Sequence, residues 1–188
     1  MTSTFWTPFL GWMAAGGGAL AMAFAAPTED TMLGRMPQIA AHRLDQRPLA
    51  LPQGLPAERT LAIIVFGRGQ HGEVQSWVEG MQLRQDPAIS WIKIPVLDDK
   101  RDEQGRRDIV QGLLARHASQ SDRALLVPVF TDRDGFIRAA KLSGIEHASV
   151  LVLDRSGTVL AKAEGHFDEA KGQALRATLL AQGERSPF

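Results

Sequence analysis

There is no cysteine among these 188 residues, and no tyrosine. The first absence removes disulfide bonds, thiolate nucleophiles, cysteine-based zinc sites and a lipid-modified cysteine anchor. The second, in a chain without a Gly-x-Ser-x-Gly elbow, leaves acyl transfer and phenol-based acid–base schemes without obvious carriers. Net charge is lacking too: 21 Lys and Arg balance 21 Asp and Glu, so no long-range field gathers nucleic acid or anionic lipid. No nucleic-acid partner is expected. What remains, 44% hydrophobic and 22% charged residues, suits one globular domain large enough to bury a core.

Charge is also missing from residues 1–28, of which 5–26 form an apolar run ending in Ala23-Phe24-Ala25. Small residues at alternating positions suit a signal peptidase. Residues 1–25 therefore read as a secretory signal peptide cut after Ala25, or as an uncleaved anchor over residues 5–26. Either reading puts the remainder on the exported side of a membrane, periplasmic or secreted, meeting the bilayer only through this segment. Residues 26–35 read as a linker, 36–183 as one domain and 184–188 as a tail.

Within the domain, residues 39–43 and 48–51 flank a polar turn and predict a short hairpin, with Pro52 and Pro56 breaking the ladder after it. Residues 60–66 are continuous, apolar and β-branched, as in a central strand buried on both faces. Val74, Trp77, Val78 and Met81 fall at helical spacing in 73–84. A strand over 88–96 follows, then a charge run over 98–108 read as a surface loop. Ile109, Leu113 and Leu114 mark a helix, 125–131 a third strand, and Phe136, Ile137, Ala140 and Ile145 a short helix. Residues 150–153 and 159–163 flank the turn Asp154-Arg155-Ser156-Gly157, which predicts an antiparallel hairpin. Asp168 caps a last helix whose buried face holds Ala170, Ala174, Leu175 and Leu179, and Gly183 with Pro187 stops it.

Parallel strand–helix–strand units, then a hairpin and a covering helix, give an α/β fold with a mixed sheet. With the strand over 61–66 before a helix, residues 150–154 with Gly157, and the closing helix, this order resembles the thioredoxin-like proteins over most of 36–182. In those enzymes a Cys-x-x-Cys follows the first central strand; here the matching place reads His71-Gly72-Glu73-Val74. The family's cis-proline, before the strand ending in Asp-x-x-Gly, is matched by Ala148. The resemblance thus implies binding rather than turnover, through a groove formed by His71, Gly72, Glu73, His147 and Ala148 or through the sheet edge, with polypeptide as partner and no cofactor. Gln75-Ser76-Trp77 and Val152-Leu153-Asp154 are similar to the family that assists assembly of the mitochondrial ATP-synthase membrane sector, although that family's closing Arg-Trp pair reads Ala161-Lys162 here. This similarity implies an assembly or chaperone factor.

Two other chemistries stay open at this point. Gly67-Arg68-Gly69-Gln70-His71-Gly72 fits G-x-G-x-x-G after a strand and before a helix, with Asp98 and Asp99 placed as ribose-binding acids, which would make a nucleotide-binding enzyme. His71 and His147, with Glu73 as a third ligand, would make a metal site. Asp132-Arg133-Asp134-Gly135 starts like a calcium loop, but Phe130 and Lys141 stand where its first and closing ligands belong.

Overall fold

A computed structural model of the chain describes residues 33–99 and 102–181. The apolar leader, most of the linker, the 184–188 tail and the stop expected at Gly183 and Pro187 lie outside the described residues. Strand β1 (Ile39–His42) pairs antiparallel with β2 (Pro48–Leu51) as the expected hairpin. The main sheet contains β3 (Arg59–Val65), β4 (Trp91–Asp98), β5 (Val129–Thr131), β6 (Ser149–Asp154) and β7 (Val159–Glu164), in the order β5-β4-β3-β6-β7. Strands β3, β4 and β5 run parallel, and β6 and β7 are antiparallel to their neighbours. The helices are α1 (His71–Gly80), α2 (Glu103–Arg116), α3 (Gln120–Leu125), α4 (Arg133–Ala139) and α5 (Glu169–Leu180). Among the described residues no helix is long and apolar enough to cross a membrane.

Side-chain alternation along the central strands builds two cores. Leu61 and Ile63 of β3, with Val150 and Val152 of β6, pack under Trp77 of α1 and Leu175 of α5. Ala62 and Ile64, with Leu151 and Leu153, face the other way, toward Phe136 of α4 and Leu51 of β2. Each aliphatic side chain buried this way contributes about 1.5–3 kcal/mol, which is why the run over 60–66 forms the middle of the sheet. The far turn closes on Gly157, whose φ of +86° and closeness to Pro52 Cγ, 2.7 Å from where a Cβ would stand, admit only glycine.

Several expectations are corrected in detail. The strand expected over 88–96 starts at Trp91, because the Asp86 carboxylate accepts from the Ala88 amide and holds Pro87 and Ala88 in a turn. The charge run over 98–108 is only partly a loop: Asp102 caps α2 by accepting from Gly105, and Glu103 begins the helix, where acidic groups face the positive end of the dipole. Helix α3 was not anticipated; Ser119 caps it by accepting from Asp122. It takes the first residue of the strand expected over 125–131, and Pro128, with no amide to donate, separates the bridge at Leu126 from β5. Ile145 belongs to no helix and is 43% exposed in the loop before β6. On α5, Asp168 caps as expected, but the buried positions are Gly172 and Leu175, while Ala170 and Ala174 face out. Gly34 and Arg35, placed in the linker, are already held: Val159 N donates to Gly34 O at 3.0 Å, and Arg35 N to Ala139 O at 2.8 Å.

Helices α1 and α5 lie on one face of the sheet with the Phe167 ring between them. The ring stands edge-on to Trp77, with centroids 5.2 Å apart at 85°. A Cβ on Gly80 would lie 2.4 Å from Phe167 Cδ1, and one on Gly172 2.5 Å from its Cε2, so the ring cannot retreat from either without striking the other. Alanine in a helix gains about 1 kcal/mol over glycine, while overpacking costs about 1–3 kcal/mol. Gly172→Ala is therefore expected to lower the urea midpoint despite its better helix propensity, and an unchanged or raised midpoint would show that the ring is not wedged.

Candidate functional site

The loop leaving β3 is shaped by one side chain. Gln70 is 6% exposed, and its Oε1 accepts from the amides of Phe66 at 2.7 Å and Gly67 at 3.3 Å. Its Nε2 donates to the Ile145 carbonyl at 2.7 Å, tying this loop to the one before β6. Arg133 of α4 donates to the Phe66 carbonyl at 2.7 Å from the far side. Residues 68–70 make one 3-10 turn, and α1 begins at His71, with Glu73 in its first turn where the helix dipole favours an anion.

Glu73 then bolts α1 to β6. Its Oε2 accepts from the buried Ala148 amide at 2.6 Å, and its Oε1 pairs with His147 Nδ1 at 2.7 Å. The Ala148 carbonyl accepts from Gly165 N at 3.0 Å, and the Gly165 carbonyl accepts from Trp77 Nε1 at 2.8 Å, back on α1. Ser76 adds a parallel link, donating to the Glu73 carbonyl at 2.7 Å and accepting from Phe167 N at 3.0 Å. This closed circuit of bonds joins the start of α1 to the loops before β6 and after β7.

Electrostatics follow from the burial. Desolvation pushes the Glu73 pKa up, but bonds from His147 and the Ala148 amide, with the charges of His147 and His166, outweigh it and hold the carboxyl below its ordinary 4.5. Bonding to Glu73 and the Glu73 charge raise His147 above its ordinary 6.5. The His147 side chain is 63% exposed and forms the rim, whereas that of Glu73 is 11% exposed and forms the floor.

The residues expected at the groove thus divide. Glu73, His147 and Ala148 come together, and Gly72 stands beside them, its Cβ position 3.9 Å from His166 Cε1. His71 instead lines a separate recess beyond α1 with Lys93 and His117. No group of three or more His, Asp and Glu able to hold a metal occurs among the described residues, so the proposed His71, His147 and Glu73 ligand set is not assembled. The Gly-rich loop also lacks the geometry of a phosphate cradle. Gly67, Gly69 and Gly72 have no left-handed φ, and an added Cβ would meet nothing within 4 Å at the first two. The Phe66 and Gly67 amides are already occupied by Gln70. Asp99 is engaged by Arg106. Asp132 serves as the cap of α4, accepting from Asp134 N. Two features went unread in the sequence: the role of Gln70, and Lys93, a single charge inside the apolar strand Trp91-Ile92-Lys93-Ile94 whose alternation with Trp91 marked it as facing α1.

No family model and no curated protein matches the sequence. Solved structures do. A candidate electron transport protein from Aquifex aeolicus VF5 is similar at a TM-score of 0.57 and 12% identity, over 81% of this chain and 100% of that one. A candidate electron transfer protein from the same organism gives 0.56 and 14% over 82% and 100%. BsSco, a member of the Sco family of cytochrome c oxidase assembly proteins in which a disulfide switch was identified, gives 0.52 and 12% over 79% and 95%. The fold is thioredoxin-like. At these identities the likeness is one of fold, and it does not show the similarity to the ATP-synthase assembly family.

The carboxylate and imidazole make their pairing pH-dependent with a definite sign. Glu73, lowered in the folded state, contributes stability that is full above about 4.5 and is lost as pH falls through its folded pKa; His147, raised, contributes stability that is full below about 6.5 and is lost as pH rises through its folded pKa. Stability relative to Glu73→Gln should therefore peak between these values and decline on both sides. NMR titration should find His147 above 6.5 in the parent and lower in Glu73→Gln, and an unchanged value would dissolve the pairing. Ala148→Pro removes the amide that Glu73 accepts from, and leaving that buried oxygen unmatched should cost about 1–3 kcal/mol in urea unfolding.

Proposed function

We propose that this protein is a non-redox, thioredoxin-like binding protein that recognises polypeptide on the exported side of a membrane, in the manner of an assembly or chaperone factor. The observation carrying this reading is the bonding of Glu73 to His147 and Ala148, at the place where thioredoxin-like enzymes bring together their thiols and cis-proline. With no cysteine in the chain, electron transfer through thiols is closed, and what the site offers is shape and hydrogen bonding. Exposed Ile145 lies next to the groove and supplies an apolar contact, beside His147 as a polar one. Among the described residues β7 is the last strand of the sheet on that side, and beyond Val159, which already bonds Gly34, it offers an edge that an extended segment can join. The uncharged run over residues 5–26 supports export, either as a cleaved leader or as an anchor. The Sco protein of similar fold is itself an assembly protein, which makes such a role compatible with this scaffold.

Site-specific photo-crosslinking in the native membrane preparation tests the reading. A crosslinker in place of Ile145 should capture the same polypeptide reproducibly, and one in place of Leu180, 49% exposed at the end of α5, should not. Equal capture at both positions, or none at Ile145 together with stabilisation by a nucleotide of about 2–3 kcal/mol at a hundredfold excess over its Kd, would replace it with the enzyme reading.

A further inference from the structure

On the side of α1 away from Glu73 lies a recess of about 90 Å³, bounded by α1, β4 and α3. Val74, Val78 and Trp91 make its apolar wall, and His71, Lys93 and His117 its polar one. Lys93 is half-buried on β4, on the same face as Trp91. No hydrogen bond or ion pair to another described residue meets its ammonium. The remaining charged side chains of the lining are already matched, since Arg84 Nη1 donates to Asp122 Oδ1 at 2.8 Å. Backbone carbonyls of His117 and Leu114 accept from Arg123, which holds the segment carrying His117 in place. Among the described residues the recess thus holds one cation in excess, partly withdrawn from water and without a counter-ion. Such a group costs free energy until an anion meets it. Burial accordingly holds the Lys93 ammonium below its ordinary pKa, with Asp122 pulling the other way. Burial and then the Lys93 charge push His117 down, leaving at neutral pH an uncharged imidazole with one N–H to donate.

We infer that this recess is a carboxylate-binding site that takes the side chain of a glutamate or aspartate from a bound polypeptide, with Lys93 as its counter-ion. The inference rests on the polypeptide reading above and deepens it. A monoanion matches the single unpaired cation, and the apolar wall accommodates a methylene stem. A phosphate dianion suits the place poorly, because Asp122 lines the same recess and the only lining guanidinium, that of Arg84, is already committed.

The test follows the His117 ring by NMR at pH 7 while the full chain is titrated with acetate, inorganic phosphate or chloride at matched ionic strength. The same titration uses the peptides acetyl-Ala-Glu-Ala-amide and acetyl-Ala-Gln-Ala-amide. Acetate and the glutamate peptide should saturate, while chloride and the glutamine peptide should not. Lys93→Met should weaken acetate by about tenfold, the loss of one charge-assisted hydrogen bond. Asp122→Asn, which frees Arg84, should tighten it and guards against a Lys93 variant that folds poorly. Unchanged acetate binding in Lys93→Met, or phosphate binding more tightly than acetate, overturns the inference. If acetate behaves as expected while neither peptide binds, the peptide occupant falls together with the polypeptide reading. If both peptides bind equally to parent and Lys93→Met, the polypeptide reading stands and the carboxylate site alone falls.

Discussion

A carboxylate taken out of water has to be met by donors, and Glu73 finds them on a segment 74 and 75 residues further along the chain. That requirement draws the start of α1 against the loop before β6. From Ala148 the bonding continues through Gly165 and returns to α1 at Trp77, whose ring is fully buried in the core of that face. The beginning of α1, the start of β6 and the turn after β7 therefore move as one piece. Phe167, two residues beyond Gly165, carries the same constraint to α5 by standing between Gly80 and Gly172.

The two flanks of α1 carry opposite electrical character. On one, Glu73 is surrounded by His147 and His166, and its charge is consumed within the fold. On the other, Lys93 and His117 face a recess where the positive charge is not consumed. A neutral total of 21 against 21 thus conceals local imbalance, and composition alone had no means of showing it. The Gly-rich loop separating the flanks is closed to phosphate by its own glutamine, so both sites must work through side chains.

The central architecture was legible because burial writes directly into residue choice. Strands with both faces covered must be apolar, as 61–66 and 150–153 are, and Asp154 to Gly157 has the chemistry of its turn. Boundaries were less legible where a side chain competes with the backbone, as Asp86 does before β4 and Ser119 and Asp102 do in starting helices. Three of the five groove residues converge, Gly72 flanks them, and His71 departs because helical rotation from position 71 to 73 turns its side chain to the other flank of α1. Gln70 and Lys93 were illegible for another reason: the alternation of Lys93 with Trp91 gives its face but not that its ammonium goes unmatched, and the link from Gln70 to Ile145 spans 75 residues.

The Glu73 to Ala148 bond makes those two positions mutually dependent in sequence space. Proline at 148 would leave the buried carboxylate without its amide donor, and a side chain at 73 with no acceptor would leave that amide unmatched. Each single replacement passes through a less stable protein, so change at this spot requires the two positions to be replaced together. The bond works as a ratchet on these two positions, for reasons of folding rather than of activity.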